Sequence, residues 1–135
     1  MALDLYLQTD ASLPTTLENR FLSFEDDGYF WFLYPFLQNI SKQTNKEIGP
    51  CEDSFFHGQD LDLFNQMIEQ VRKEIASKPV IWEEYIGTVI FKGERKVKKI
   101  YSSVEKCELE MLLLKLEKAL KKAKSRNIGI FFFGD

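Results

Sequence analysis

Apolar and polar residues alternate at the beginning of the chain. Residues 3–8 read Leu-Asp-Leu-Tyr-Leu-Gln, and an alternation with a period of two is typical of a β-strand with one buried face. The polar residues 9–19 contain Pro14 and predict a loop. Residues 25–28, Glu-Asp-Asp-Gly, predict a turn because acidic residues and glycine tolerate tight backbone geometry. We therefore expect one strand and then a loop before the first helix.

An aromatic segment, residues 29–37, follows this turn. Pro35 has no backbone N–H and its ring clashes with the preceding helical turn, so we expect no straight helix to run through it from the turn. Two alternatives remain: a short extended segment that ends near residue 33, or a helix that starts there with Pro35 in its first turn. We favour a helix over residues 34–44. Residues 45–53 contain a Gly-Pro pair and predict a loop.

Two later segments have the periodicity of amphipathic helices, with apolar residues recurring at steps of three and four. The stripe of the second helix is Leu61, Phe64, Ile68, Val71 and Ile75. The stripe of the third helix is Leu109, Leu112, Leu113, Leu116, Leu120 and Ala123. Pro79 ends the second helix. Residues 102–105, Ser-Ser-Val-Glu, predict a capping box at the start of the third, and Asn127 suits a left-handed backbone conformation after its end.

The segments between and after these helices predict strands. A strand begins at Val80, and Gly87 marks a bend or bulge near its end. Residues 89–91 and 97–101 predict a hairpin closed around Lys-Gly-Glu-Arg. Residues 128–133 are apolar on both faces, which indicates a strand buried between neighbours.

The order of these elements predicts a single α+β domain, residues 1–135, with a mixed or antiparallel sheet and about three helices packed on it. At an offset of 48 residues, the second helix and its strand align with the third helix and its strand, for example Leu61 with Leu109 and Val80 with Ile128. This alignment indicates either a duplicated helix–strand unit or a chance register between two amphipathic helices.

The composition is that of a globular protein, since 44% of the 135 residues are hydrophobic and 29% are charged. With one His and two Cys, Cys51 and Cys107, a zinc finger, an iron–sulfur cluster or a disulfide scaffold is not expected. No apolar run approaches the ~20 residues of a membrane span, and no signal sequence opens the chain. We therefore expect a cytoplasmic protein with reduced cysteines, no metal site and no small-molecule cofactor.

Charge is divided unevenly along the chain. Residues 1–70 hold 12 acids and 3 bases, a net of −9, whereas residues 71–135 hold 9 acids and 15 bases, a net of +6. A surface of one sign attracts partners of the opposite sign. If the two halves interleave in the fold, however, the charges mix on the surface.

Two alternative functions depend on other residues. The hairpin between Lys92 and Lys99 carries five bases beside Phe91 and Tyr101, which suits a nucleic-acid-binding module, but lysines on an edge hairpin also prevent unwanted strand pairing. His57, close in sequence to two aspartates, is a candidate general base of a small enzyme, but a packing role beside its Phe neighbours is favoured. No nucleotide-binding, hydrolase or metalloprotease motif is present, so we predict no catalytic residue.

Four segments carry a resemblance to a known class of proteins. They are Ala-Leu-Asp-Leu-Tyr-Leu at residues 2–7, Tyr-Phe-Trp-Phe-Leu-Tyr-Pro at residues 29–35, the strand at residues 82–88, and Phe-Phe-Gly-Asp at residues 132–135. With these segments the chain resembles the small acidic immunity proteins that bacteria encode beside toxins, as in contact-dependent growth inhibition. The resemblance implies a stoichiometric inhibitor that binds a cognate toxin and occludes its active site.

The resemblance and the charge distribution together predict a protein-binding surface in the acidic half. Carboxylates imitate the phosphates that occupy the basic groove of a nuclease toxin, and complementary charge accelerates association. Tyr and Trp are suited to anchor such an interface. The predicted contact residues are Asp26, Asp27, Tyr29, Trp31, Asp53, Asp60 and Asp62. The sequence leaves open whether the acidic or the basic half makes the contact.

Overall fold

A computed structural model describes residues 2–14, 20–91, 93 and 96–134. Within them the chain forms three helices, a four-stranded antiparallel sheet and a separate two-stranded hairpin. The elements are β1 (Ala2–Gln8), β2 (Arg20–Glu25), α1 (Gly28–Thr44), β3 (Ser54–Phe56), α2 (Asp60–Ala76), β4 (Ile81–Phe91), β5 (Lys96–Glu105), α3 (Lys106–Ser125) and β6 (Gly129–Gly134). The predicted α+β class is confirmed. Residues 15–19 of the predicted loop and most of the predicted hairpin turn lie outside the described residues.

The four-stranded sheet has the strand order β2-β1-β6-β3, and one of its faces packs into the core. Leu5 of β1 is paired with Phe132 of β6, and paired residues of antiparallel strands point to the same face. Both are at most 1% exposed. The ring of Phe132 lies 5.7 Å from the ring of Phe64 in α2, so this face packs against the helices. β6 lies between β1 and β3, as its apolar sequence predicted.

Helix α1 runs through Pro35, so the expectation of a helix that begins near this proline is wrong. The helix begins at Gly28, and the Asp27 side chain caps it by accepting a hydrogen bond from the Phe30 N–H at 3.1 Å. A proline inside a helix costs about 3 kcal/mol, whereas burial of one large apolar side chain contributes about 1.5–3 kcal/mol. Because Phe30 and Leu33 are both fully buried, packing of the first two turns outweighs the proline.

The two edge strands of the four-stranded sheet were not predicted from the sequence. β2 pairs with β1 and β3 pairs with β6, so each has a single neighbour among the described strands. β3 is three residues long, and the buried face of β2 consists of Leu22 and Phe24. Alternation does not identify either strand, because Phe21 and Leu22 are adjacent apolar residues in β2 and because β3 is too short to show a period.

Helices α2 and α3 match their predicted faces closely. All five stripe residues of α2 are buried, and the helix ends at Ala76, before Pro79. The stripe of α3 is buried except at Leu112, which is half-buried. Asn127 has a φ of 53° and occupies the left-handed region after the helix, as predicted. No helix in the described part of the chain is long and apolar enough to span a membrane.

The predicted capping box of the third helix is wrong, because residues 102–105 belong to β5. The Ser103 hydroxyl donates a hydrogen bond to the Glu83 carboxylate of β4 at 2.6 Å and does not cap the helix. The alignment at an offset of 48 residues matches α2 with α3 but does not extend to the strands that follow them. β4, which follows α2, lies in the hairpin, whereas β6, which follows α3, lies inside the four-stranded sheet. The two helices are therefore not followed by equivalent strands, as a duplicated helix–strand unit would require.

The β4–β5 hairpin is attached to the rest of the molecule at its base. Trp82 and Val104 are paired across the two strands and both are buried, and the Trp82 ring lies 5.4 Å from the ring of Phe32 in α1. Gly28 allows α1 to lie close to β5, because a Cβ atom at this position would lie 2.7 Å from Val104 Cγ2 and 2.8 Å from the Ser102 carbonyl oxygen. The glycine predicted for a tight turn thus serves a close approach between α1 and β5.

Candidate functional site

Four of the predicted contact residues lie together at the start of α1. The Trp31 indole N–H donates a hydrogen bond to Asp26 Oδ1 at 2.7 Å, while Asp27 caps the helix. The Tyr29 hydroxyl accepts a hydrogen bond from the Glu105 N–H at 3.1 Å. Both aromatic side chains are half-buried and pack against the core. Asp27 and Tyr29 therefore stabilise the fold through contacts with the backbone, whereas Asp26 and Trp31 contact each other through their side chains.

The other three predicted contact residues lie away from the start of α1, and each has a partner within the chain. Asp53, before β3, accepts a hydrogen bond from the Gly134 N–H at 3.1 Å. In α2, Asp60 forms an ion pair with Lys46 at 2.9 Å, and Asp62 forms an ion pair with Lys124. These contacts neutralise part of the acidic charge that the sequence places in residues 1–70. The predicted acids therefore do not form one unpaired acidic surface within the described residues.

His57 is exposed, and its ring lies 5.5 Å from the ring of Phe55. Asp60 and Asp62 direct their carboxylates to lysines, and no contact in the described chain joins either carboxylate to the imidazole. The nearby Ser54 is paired with Phe132, so its side chain is on the core face of the sheet. Phe55, the next residue of β3, points to the opposite face. Among the described residues, the carboxylates of Asp60 and Asp62 are thus paired with lysines, and the buried Ser54 hydroxyl has no hydrogen-bond partner.

A small group of metal-ligand type lies at the start of α3. Side-chain ligand atoms of Glu105, Cys107 and Glu108 lie within 4.8 Å of one another, and all three residues are exposed. Acidic side chains are common at helix N-termini because they interact with the helix dipole. Cys107 is a free thiol, as is Cys51.

The outer part of the β4–β5 hairpin exposes a cluster of large apolar side chains. We define the arm as residues 85–91 of β4 and residues 96–101 of β5. Six large apolar or aromatic side chains of the arm are between 38% and 73% exposed. They are Tyr85, Val89, Ile90, Phe91, Val97 and Tyr101. Large apolar side chains clustered on a surface mark interaction sites more often than isolated ones do.

The pairing register places these side chains on both faces of the arm. Ile90 is paired with Val97 on one face, and Phe91 is paired with Lys96 on the other. The Tyr85 and Tyr101 rings, whose centroids are 5.9 Å apart, continue the face of Ile90 toward the base. The register shifts between Tyr85 and Gly87, where the sequence predicted a bend or bulge. Beyond this bulge the arm exposes apolar side chains on each face.

The two edges of the arm differ in charge. Residues 85–91 of β4 contain no charged side chain. β5 carries Lys96, Lys98 and Lys99, all exposed, and none of the ion pairs among the described residues includes them. Since the hairpin has two strands in the described structure, each strand also has one edge without a β-partner. The sequence predicted this hairpin from residues 89–91 and 97–101 and placed Phe91 and Tyr101 beside its lysines, but it did not predict that Ile90 and Val97 are exposed.

Comparisons of the chain with protein-family models, with curated proteins and with solved structures found no match. The resemblance to immunity proteins therefore rests on the sequence segments quoted above. The arm combines exposed apolar side chains on two faces, free strand edges and unpaired lysines. It is the candidate functional site of this protein.

Proposed function

We propose that this protein binds a cognate protein toxin in the cytoplasm and neutralises it by occluding its active site, and that the arm makes the principal contact. The observation that carries the proposal is the exposure of six large apolar side chains on a projecting two-stranded hairpin. A two-stranded hairpin has little stability of its own in water. Apolar residues on such an element add little to the fold, and contact with another protein would remove them from water.

The shape of the arm suits occlusion of a cleft. Residues 85–91 form seven residues of extended chain, which span about 23 Å at ~3.3 Å per residue. Two strands are about 5 Å apart, so the arm is long and narrow. Active sites are concave and largely apolar, and an element of this shape fills a cleft without help from the body of the protein.

The acids predicted from the sequence remain a proposed second contact. Asp26 and Trp31 lie at the start of α1, the helix that also packs against the base of the hairpin. Asp27, Asp53 and Asp60 make structural hydrogen bonds or ion pairs. We therefore assign them a smaller part in binding than the arm.

A growth assay tests the proposed function. Each open reading frame that neighbours this gene is expressed in a heterologous bacterial host, alone and together with this protein. We expect one neighbour to arrest growth alone and this protein to restore growth. If no neighbour arrests growth, or if growth is not restored, the toxin-neutralising function is wrong.

Matched variants connect the growth assay to the arm. Ile90→Ser with Val97→Ser removes two apolar side chains from the arm, which are 73% and 64% exposed. Met111→Ser with Leu114→Ser removes two from α3, which are 53% and 50% exposed. We expect the arm variant to lose growth restoration and the α3 variant to retain it. Equal behaviour of the two variants would show that the arm is not the contact.

The lysines and aromatic residues of the arm also favour a second candidate function. Lys96, Lys98 and Lys99 lie close to Tyr101 in the sequence. Single-stranded nucleic acids bind to basic surfaces on which nucleobases stack against aromatic side chains. Binding of labelled single-stranded DNA near physiological salt, lost when the three lysines become glutamine, would favour a nucleic-acid-binding module instead.

A further inference from the structure

We propose that β4 pairs through its free edge with an exposed β-strand of the partner protein, and that this partner strand carries carboxylate side chains. The proposal rests on the protein-binding function proposed above and specifies the chemistry of its partner. The expected charge of the partner is thereby reversed, because the sequence favoured a basic groove of the partner against the acidic half of this protein.

The two edges of the arm are not equivalent as sites for strand addition. An unpaired edge offers a row of N–H and C=O groups to another strand, and proteins discourage such pairing with lysines on the edge. β5 carries three lysines in the arm, whereas residues 85–91 of β4 carry no charge. The free edge of β4 is therefore the unprotected one.

The lysines of β5 indicate the charge of the incoming strand. Lys46 and Lys124 both have carboxylate partners within the chain, while Lys96 and Lys98 have none among the described ion pairs. Lys98 is paired with Val89, so the two side chains share a face of the arm. A lysine side chain at this position is long enough for its ammonium group to reach the far side of β4. A strand added to β4 would lie about 10 Å from β5, a distance that a lysine and a glutamate side chain span together.

A second copy of this chain fits these observations less well than an acidic partner. If two copies paired through β4, each would offer the other a strand without carboxylates, since residues 85–91 are uncharged. The lysines of both copies would then remain without counter-charges. A nucleic acid would supply negative charge, but it has no strand edge to pair with β4.

Binding of three synthetic strand peptides tests the proposal. Each carries fluorescein and alternates valine with one other residue, which is glutamate, lysine or threonine. We expect fluorescence anisotropy to give at least about tenfold tighter binding of the glutamate peptide than of the lysine peptide. Added salt should reduce this difference because it screens the charges. Equal affinity for all three peptides would overturn the acidic partner, and no binding of any peptide would overturn strand addition.

Two adjacent proline variants test whether the edge of β4 is used. N–H groups of successive residues in an antiparallel strand point to opposite sides, so one of Val89→Pro and Ile90→Pro removes a bond to β5 and the other removes an N–H from the free edge. Hydrogen exchange of β5 amides identifies the variant that keeps the hairpin. That variant should lose binding of the glutamate peptide by at least about tenfold. Unchanged binding would show that the peptide contacts a face of the arm and not its edge.

A charge variant and a measurement of molecular mass complete the test. Replacing Lys96, Lys98 and Lys99 with glutamine should abolish the preference for the glutamate peptide and leave binding of the threonine peptide unchanged. If light scattering finds a dimer that the edge-blocking proline dissociates, the occupant of the edge is a second copy and the proposal is wrong. Tighter binding of single-stranded DNA than of the glutamate peptide would also overturn it.

Failure of this proposal is distinguishable from failure of the proposed function. If growth restoration requires the arm but no peptide binds, the toxin-neutralising function stands and strand addition is wrong. If the glutamate peptide binds the edge of β4 but no neighbouring gene encodes a toxin, strand addition stands and the toxin-neutralising function is wrong.

Discussion

Strands β6 and β4 have similar apolar sequences and opposite environments. Residues 128–133 and residues 85–91 both lack charged side chains. In β6, Ile130 and Phe132 are at most 1% exposed, because β1 and β3 lie on either side and helices cover one face. In β4, Ile90 is 73% exposed, because the strand has one neighbour and no layer covers the arm. An apolar strand pattern thus does not by itself place a strand in the core. The topology determines whether neighbouring strands and helices of the same chain bury its side chains.

Truncation of one phenylalanine in each strand should give the largest difference in the free energy of unfolding. Phe132→Ala in β6 should lower the free energy of unfolding by about 3–5 kcal/mol, because the ring packs against Phe56 and Phe64. Phe91→Ala in the arm, where the side chain is 45% exposed, should lower it by less than about 1 kcal/mol. Urea denaturation followed by circular dichroism measures both. Similar losses in the two variants would mean that the arm is packed against the body.

The next effect concerns the junction between the hairpin and α1. Gly28→Ala places a methyl group 2.7 Å from Val104 Cγ2 and should cost about 1–3 kcal/mol through overpacking. Gly87→Ala, at the bulge where no atom lies within 4 Å of an added Cβ, is the matched control and should cost less than about 0.5 kcal/mol. Urea denaturation of both variants checks the prediction. An equal cost would remove the special role of Gly28.

A smaller effect is expected at the cap of α1. Asp27→Ala removes the side chain that accepts the Phe30 N–H and should cost about 1 kcal/mol. Asp26→Ala removes an exposed hydrogen bond to Trp31 and should cost less than about 0.5 kcal/mol. Thermal unfolding of the two variants separates a helix cap from a surface contact. If the costs are reversed, Asp26 rather than Asp27 stabilises the start of α1.

The smallest effect on stability is expected in the arm itself. Ile90→Ser should change the free energy of unfolding by less than about 0.5 kcal/mol, because most of the side chain is already in water. Urea denaturation checks the value. A loss above about 1 kcal/mol would show that Ile90 contributes to the folded core, and the contrast between β4 and β6 would then fail.

Regular patterns in the sequence predicted the parts of the fold that depend on local periodicity. The stripe of α2 and the buried strand β6 follow directly from the spacing of their apolar residues. Helix α1 was predicted incorrectly, because a local rule about Pro35 was weighed without the burial of Phe30 and Leu33. That burial depends on residues far along the chain.

The candidate site was less accessible to sequence reasoning than the fold. Asp60 and Asp62 have ion-pair partners 14 and 62 residues away, so their neutralisation depends on the tertiary fold. Ile90 and Val97 follow a pattern that suits a buried strand equally well, because a sequence does not state how many neighbours a strand has. Their lysine neighbours on β5 were visible in the sequence, but the bare edge of β4 was not.

The contrast between the buried four-stranded sheet and the exposed arm has an evolutionary consequence. Side chains of the arm contact few atoms of the core, so most substitutions there leave the folded state intact. Under the proposed function, substitutions in the arm that change which partner is bound would then need no compensating changes in the core. A lineage of such proteins would diversify fastest along residues 85–91 and 96–101, while residues of β1, β6 and α2 change slowly.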